Sequence, residues 1–287
     1  MGNGEEFYYK LPGTPGGMRP GAHRSRSLGP GLTFAAHRRL FEQPDPRRLD
    51  LRASLRDIRR EWLVRVNRQH SSVNVQAIID VSASMHFGSE RSKLEVVNDF
   101  LESLGYSTFR HGDAVSLMAF DASARDDLYT PPRSSRGAGI AMMETLARCK
   151  TTTSRQGSAD GLSHCIDNLT TNCSLVFIVS DFHWSLDSLT AIINKLGPAL
   201  VVPIVVWDPA EIQPPTSGRW LSVNDAESGQ RKNLWLRKSI RKKWEENVAH
   251  RRKLLNEHFA AKDIKPFFAA GSFNAESMTK YFMDNVL

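Results

Sequence analysis

Four apolar segments constrain the fold of this 287-residue chain more than any other feature. Apolar residues predominate in each segment, which is typical of strands buried on both faces. The longest of the four is far shorter than the roughly 20 residues that span a bilayer. They are Val73–Ile79, Ala114–Phe120, Ser174–Val179 and Ala199–Trp207.

Amphipathic segments separate these strands. Ser92 is placed to cap a helix that carries Leu94, Val97, Leu101 and Leu104 on one face. Further helices are predicted at Ile140–Ala147, at Ala159–Leu169 and around Leu186–Leu196, where Gly197 and Pro198 end the last one. The alternation predicts an α/β fold, with a doubly wound, mainly parallel sheet flanked by helices.

The regions outside this core differ in composition. Residues 1–30 are rich in Gly, Pro and Arg and are predicted to be flexible, and residues 31–72 form a basic N-terminal region. Residues 73–207 form the core domain. Residues 208–287 are predicted to contain a turn-rich excursion, a long basic helix from near Arg231 that carries Trp235 and Trp244, a short strand at Phe267–Phe268 and a closing helix.

The net charge of +7 is unevenly distributed along the chain. Arg19–Gln69 has 13 Arg against 5 acidic residues, and Arg231–Lys265 has 12 Lys and Arg against 4 acidic residues. Two basic flanks therefore enclose an acidic middle. Basic flanks are usually solvated surface, but they also leave open a nucleic-acid-binding protein as an alternative function.

The location is expected to be the cytoplasm. The first residues lack the basic start and the apolar core of a signal peptide. Cys149, Cys165 and Cys173 are odd in number and form no CxxC pair, as expected of thiols in a reducing compartment.

The strongest candidate site follows the first strand. Asp80, Ser82 and Ser84 form a D-x-S-x-S pattern that directs one carboxylate and two hydroxyl groups from a short loop. Oxygen ligands of this kind suit a hard cation such as Mg²⁺. A bare pattern of this type is more often a helix cap, but Asp181 ends a second strand, and ligands bind beyond the carboxyl ends of strands in open α/β sheets. The balance therefore favours a metal site.

Catalytic motifs are weak in this sequence, which predicts a protein that is not an enzyme. No P-loop is present, and Ser82 lacks the flanking glycines of a hydrolase nucleophile. A hydrolase that uses Asp181 and His183 remains a second alternative.

The run Ile78–Met85 resembles the metal-ion-dependent adhesion site, or MIDAS, of von Willebrand factor A domains. The flanking sequence is similar to the family called domain of unknown function 58 (DUF 58) at several places in order along the chain. These are Arg19–Gly21, Gly29–Phe34, Pro46–Arg56, Val179–Phe182 and Trp207–Glu211.

This resemblance implies a von Willebrand A-like domain with N-terminal and C-terminal extensions. It also implies partnership with a MoxR-type AAA+ ATPase in the chaperone-like maturation or activation of client proteins. Metalloenzymes and cofactor-bearing enzymes such as methanol dehydrogenase are among the clients that the resemblance suggests. The implied mechanism is binding, in which the metal accepts an acidic side chain of the client.

The resemblance also implies the ligands. Asp80, Ser82 and Ser84 match the first loop, and Asp181 matches the late acidic residue. The middle ligand is normally Thr; here Ser158 stands in the Gly-rich loop, and Thr151, Thr152 and Thr153 are alternatives in another alignment. Mg²⁺ is the expected cation, with Mn²⁺ or Ca²⁺ as alternatives. Leu51 follows Asp50 where the family usually has Trp.

Overall fold

Strands and helices alternate along most of the chain. The computed structural model describes residues 5–11, 20–29, 33–149, 157–169, 173–214, 220–224, 231–235 and 237–286. The strands are β1 (Pro20–Gly29), β2 (Thr33–Arg39), β3 (Leu63–Ser71), β4 (Asn74–Asp80), β5 (Ala114–Phe120), β6 (Thr130–Arg133), β7 (Cys173–Ser180), β8 (Leu200–Trp207), β9 (Trp220–Asn224), β10 (Arg231–Trp235) and β11 (Phe267–Ala270). The helices are α1 (Leu51–Arg56), α2 (Lys93–His111), α3 (Ala138–Leu146), α4 (Ala159–Asp167), α5 (Leu189–Asn194), α6 (Pro209–Ile212), α7 (Lys238–Ala260) and α8 (Ala275–Asn285).

A six-stranded sheet forms the centre of the fold, in the order β11-β8-β7-β4-β5-β6. Five strands are parallel, and only β6 runs antiparallel, against β5. From β4 the chain first adds strands on one side and then returns to add β7, β8 and β11 on the other side. The predicted α/β class with a doubly wound, mainly parallel sheet is therefore confirmed, and the reversal of strand order lies beside β4.

Two hydrophobic clusters cover the two faces of this sheet. Side chains alternate across each strand, so Ala77 and Ile79 face one cluster while Ile78 faces the other. The first cluster contains residues of α2, α3 and α8, and the second contains residues of α4, α5 and α7. Burial on both faces explains why the strand sequences are largely apolar.

The C-terminal region completes the central sheet. Residues 73–207 supply five of its strands, and β11 at the edge comes from residues 208–287. Leu255 and Phe259 of α7 and Met278 and Phe282 of α8 are buried in the core clusters. The four-part division of the chain stays a prediction, but the last part contributes to the same core.

The excursion after β8 differs in one respect from the sequence prediction. Trp235 was expected in the long basic helix, whereas it ends strand β10, which pairs antiparallel with β9 and places Trp235 opposite Trp220. The helix begins only at Lys238. Pairing between two segments separated in sequence satisfies the backbone of β10, and a helical pattern read from one segment cannot reveal it.

Two described parts of the N-terminal region pair with or pack against the rest of the chain. Pro20–Gly29 pairs with β3 in a second sheet of order β1-β3-β2. Phe7 is fully buried and lies against Phe100 and Phe282 of the core. Its backbone N–H donates to Ser107 Oγ at 3.0 Å. Phe7 and Tyr9 are both buried in the core, and the flexibility of residues 1–30 as a whole stays a prediction.

In the part of the chain that the structure describes, no helix combines the length and the hydropathy needed to cross a membrane.

Replacing Phe7 by Ala tests the role of the N-terminal segment. The Phe7→Ala variant is expected to lose about 3–5 kcal/mol of unfolding free energy, because a buried aromatic side chain leaves a cavity in the core. Phe41→Ala is the matched control, since Phe41 is 78% exposed and its replacement should change stability by less than about 0.5 kcal/mol. Urea unfolding measures both values. Equal stability of the two variants would contradict the packing of residues 5–11 on the core.

Candidate functional site

The loop after β4 gathers the three residues of the D-x-S-x-S pattern. The Asp80 carboxylate is fully buried, and its Oδ1 accepts a hydrogen bond from the backbone N–H of Ser82 at 2.9 Å. Ser82 Oγ lies 3.1 Å from Ser84 Oγ. Ser82 is buried, whereas Ser84 is only half-buried. The structure thus brings the three predicted oxygen-bearing side chains together, with Ser84 nearest to solvent.

Parallel pairing places the end of β7 beside this loop. Ile79 of β4 lies opposite Val179 of β7, so the residues that follow meet at the carboxyl edge of the sheet. Ser180 Oγ donates to Asp80 Oδ2 at 2.6 Å, and the Ser84 hydroxyl donates to the Asp181 carboxylate. Asp181 is therefore part of the same cluster. Sequence reasoning missed Ser180, although its position just before the strand-end acid could have suggested it.

The turn after β7 has strained backbone. Phe182 has a φ of 52°, in the left-handed region that a bulky side chain rarely adopts. Its N–H donates to Ser180 Oγ at 2.9 Å, and its carbonyl accepts from the Arg251 guanidinium of α7. Arg251 also donates to the carbonyl of Trp184 at 2.5 Å. These hydrogen bonds hold the turn, and strain of this kind is common at functional sites.

A buried lysine joins the cluster. The Lys93 side chain is 1% exposed, and its ammonium contacts Asp181 Oδ2 at 2.8 Å and Glu211 Oε1 at 2.7 Å. Lys93 opens α2, where the positive end of the helix dipole is unfavourable for a cation. The two carboxylates offset this cost and the cost of burial. Sequence reasoning did not single out Lys93, because nothing local distinguishes it from a solvated residue.

The pKa values of Asp80 and Asp181 are shifted in opposite directions. Burial, followed by the neighbouring charge of Asp181, raises the pKa of Asp80 to about 6, against hydrogen bonds from Ser180 and Ser82. Burial would also raise the pKa of Asp181, but the Lys93 ammonium and further contacts lower it below its usual value. The Lys93 ammonium therefore keeps Asp181 ionised, whereas the negative charge of Asp80 is poorly compensated.

The loop that precedes α4 contains Ser158, the residue expected to be the middle ligand. A Cβ atom built on Gly157 would lie 3.2 Å from both Asp80 Oδ2 and Ser82 Oγ, so this glycine backbone lies directly against the cluster. Ser158 Oγ accepts from the N–H of Gly161 and donates to the carbonyl of Ala122, both at 3.1 Å. Ser158 therefore caps α4, and its role as a ligand stays a prediction. Thr151, Thr152 and Thr153 lie outside the described residues.

His183 has partners other than those expected of a hydrolase. Its Nε2 lies 3.9 Å from Glu211 Oε2, and its ring stacks on Trp207. Asp181 Oδ1 accepts a hydrogen bond from the backbone N–H of His183 at 3.2 Å. The His183 imidazole thus lies near Glu211, and the hydrolase alternative stays a prediction.

The residues fit a hard cation through their oxygen atoms. The described residues contain no group of three His, Cys, Asp or Glu side chains arranged to hold a metal. Any cation here would therefore depend on the hydroxyl groups of Ser82 and Ser84 together with Asp80. This donor set is the kind that Mg²⁺ accepts, and the cluster of Asp80, Asp181 and Glu211 carries more negative charge than Lys93 balances. The site fits the group that the resemblance implies.

Comparison with known families identifies the chain. The family described as "Protein of unknown function DUF58" matches residues 41–254. The chain belongs to the DUF58 family. This match covers the candidate site and most of α7. No curated protein matches this DUF58 chain.

Several solved structures are similar to this DUF58 protein at low identity. An aerotolerance-related membrane protein from Bacteroides fragilis NCTC 9343 has 16% identity and a TM-score of 0.47, with 75% of this chain and 98% of that chain covered. The conserved hypothetical protein BatB from Bacteroides thetaiotaomicron has 15% identity and a TM-score of 0.45, with 74% and 98% covered. A von Willebrand factor type A structure from Catenulispora acidiphila has 13% identity and a TM-score of 0.39, with 76% and 43% covered. The fold assignment rests on the strand order and register given above.

Replacing Lys93 by Met tests the buried cation. The Lys93→Met variant is expected to lose about 3–5 kcal/mol of unfolding free energy, because it leaves Asp181 buried without its partner. Lys195→Met is the matched control, since Lys195 pairs with Asp167 at the surface, where such pairs contribute about 0–1 kcal/mol. Denaturant unfolding at neutral pH measures the difference. A Lys93 variant as stable as the Lys195 variant would show that Asp181 does not depend on this ammonium.

Proposed function

We propose that this DUF58 protein is a non-enzymatic, metal-dependent protein-binding adaptor that acts in the cytoplasm. The observation that carries the proposal is the convergence of Asp80, Ser82, Ser84 and Asp181 at the carboxyl edge of β4 and β7. Asp80 and Asp181 are buried, while Ser84 is half-exposed. A cation held by this set would have its open side toward solvent, where an acidic side chain of a partner can reach it.

Mg²⁺ is the cation that we propose, with Mn²⁺ or Ca²⁺ as alternatives. Bound there, the metal would supply a positive charge that accepts a carboxylate from the partner. Asp80 and the hydroxyl groups of Ser82 and Ser84 would hold it. Lys93 keeps Asp181 ionised and in place through its hydrogen bond.

The proposed partner is a MoxR-type AAA+ ATPase, and the proposed clients are proteins that need maturation or activation. This part of the proposal depends on the resemblance of the flanking sequence, including Val179–Phe182 and Trp207–Glu211. Both segments lie at the candidate site. The proposed clients include metalloenzymes and cofactor-bearing enzymes such as methanol dehydrogenase.

Thermal unfolding with and without Mg²⁺ tests the metal. A concentration of Mg²⁺ about 100 times the dissociation constant should stabilise the protein by about 2.7 kcal/mol and raise its Tm. Asp80→Asn should abolish this rise. Without metal, this variant should be no less stable than the original protein, because it removes a poorly compensated buried charge.

Asp187→Asn is the matched control for this experiment. Asp187 is an exposed residue of the loop after β7, so the same chemical change there should leave the Mg²⁺ response intact. If Asp80→Asn still responds to Mg²⁺, or if the original protein does not, the metal site is not the one proposed.

Affinity purification with the protein as bait tests the partner. A AAA+ ATPase should be enriched in the presence of Mg²⁺ and lost on chelation, and the Asp80→Asn bait should fail to recover it. The Asp187→Asn bait should recover it normally. Recovery of nucleic acid instead, sensitive to salt and insensitive to chelation, would favour the alternative function of the basic flanks.

A further inference from the structure

A large cavity lies beside the candidate metal site and has no role in the function proposed above. Its volume is about 600 Å³, within the range of pockets that bind small ligands or anchoring side chains. It lies between the first half of α7 and the ends of β7 and β8, and we name it the α7 pocket. Its apolar wall is formed by Trp207, Ile240, Trp244 and Val248.

The α7 pocket and the metal site share structural elements. Glu211 lines the pocket, and its Oε1 contacts the same Lys93 ammonium that contacts Asp181. Arg251 also lines the pocket, and it hydrogen-bonds to the carbonyl of Phe182, the residue after Asp181. The pocket and the candidate metal site are therefore linked through Glu211 and through the turn at Phe182.

The rim of the pocket is positively charged. All three acidic residues of α7 pair with a cation one turn away: Arg241 with Glu245, Lys242 with Glu246 and Lys253 with Glu257. Lys243, which lines the pocket, has no ion pair among the side chains that the structure describes. Arg251 has a buried Nε that lacks a hydrogen-bond partner among the described residues. The pocket is thus apolar inside, and its edge carries Lys243 and Arg251 together with Glu211, whose carboxylate is paired with Lys93.

We propose that the α7 pocket binds a large apolar side chain of the same acidic partner segment whose carboxylate reaches the metal. This inference rests on the function proposed above and specifies the partner at that site. The basic rim favours an acidic segment, and the wall of two Trp rings favours an aromatic or long aliphatic side chain. Because the pocket and the candidate site are linked through Glu211, the apolar residue and the carboxylate belong to one segment of the partner.

Selection from a library of random twelve-residue peptides, displayed on phage and bound to the immobilised protein in Mg²⁺, tests the proposal. The selected peptides are expected to combine an acidic residue with a large apolar residue. The affinity of a synthetic selected peptide is then measured for each variant by fluorescence anisotropy. Circular dichroism confirms that each variant is folded.

Two pairs of matched variants locate the apolar contact. Asn247→Trp puts a bulky ring at an exposed position of α7 that lines the pocket. This change should lower the affinity for the selected peptide at least tenfold. Asn256→Trp makes the same change at an exposed position outside the pocket and should change affinity less than twofold. Lys243→Ala should lower the affinity for the peptide several-fold. Lys242→Ala, which removes a paired and exposed charge beside it, should not.

The outcomes separate this inference from the proposed function. In one outcome, the selected peptides are acidic and need Mg²⁺ and Asp80, but they show no apolar preference and bind the Asn247→Trp variant normally. This result would contradict the proposed role of the pocket and would leave the metal-dependent adaptor in place. Selected peptides that bind equally after chelation and to Asp80→Asn would overturn the adaptor. If acidic peptides of this kind also bind the Asn247→Trp variant normally and are displaced by salt, the basic face binds polyanions. This result would contradict both the adaptor function and the role of the α7 pocket.

Discussion

The side-by-side parallel pairing of β4 and β7 is the constraint on which the rest of the site depends. Because Ile79 lies opposite Val179, the two strands end at the same level and present Asp80 and Asp181 to one crevice. The chain reverses its direction of growth across the sheet at this place, and connections leave in opposite directions from such a crevice. Asp80 and Asp181 are therefore both buried, an arrangement that costs free energy unless each charge is compensated.

Compensation is unequal between the two carboxylates. Asp181 has the Lys93 ammonium at 2.8 Å and a hydrogen bond from Ser84, which together lower its pKa despite burial. Asp80 has only neutral donors, Ser180 Oγ and the N–H of Ser82, and its pKa is raised to about 6. One buried carboxylate is thus paired with a cation of the protein and the other is not, and the proposed metal-dependent recognition relies on this difference. The same Lys93 connects the site to Glu211 and hence to the wall of the α7 pocket.

The residues between the candidate site and α7 differ in burial and in charge. Asp80 lies at the bottom, Ser84 is half-buried, and His183 is largely exposed. Beyond His183, α7 presents Lys243 and Arg251 around an apolar interior. The acidic middle of the chain and the basic C-terminal flank thus contribute to the same surface, where the candidate site lies beside the α7 pocket. The net charge of neither part by itself indicates the chemistry of a partner, since both parts contribute to one surface.

The sequence by itself determined the fold class, because largely apolar strands that alternate with amphipathic helices are typical of a parallel sheet covered by helices on both faces. It also determined the local loop, since Asp80, Ser82 and Ser84 are close whenever that loop turns tightly. Only the tertiary structure decided that Ser180 bonds to Asp80, that Lys93 bridges Asp181 and Glu211, that Phe7 enters the core, and that Trp235 pairs in a strand. Each of these contacts joins residues far apart in the chain. Their free energy depends on register, burial and charge compensation, which are properties of the assembled sheet and not of any one segment.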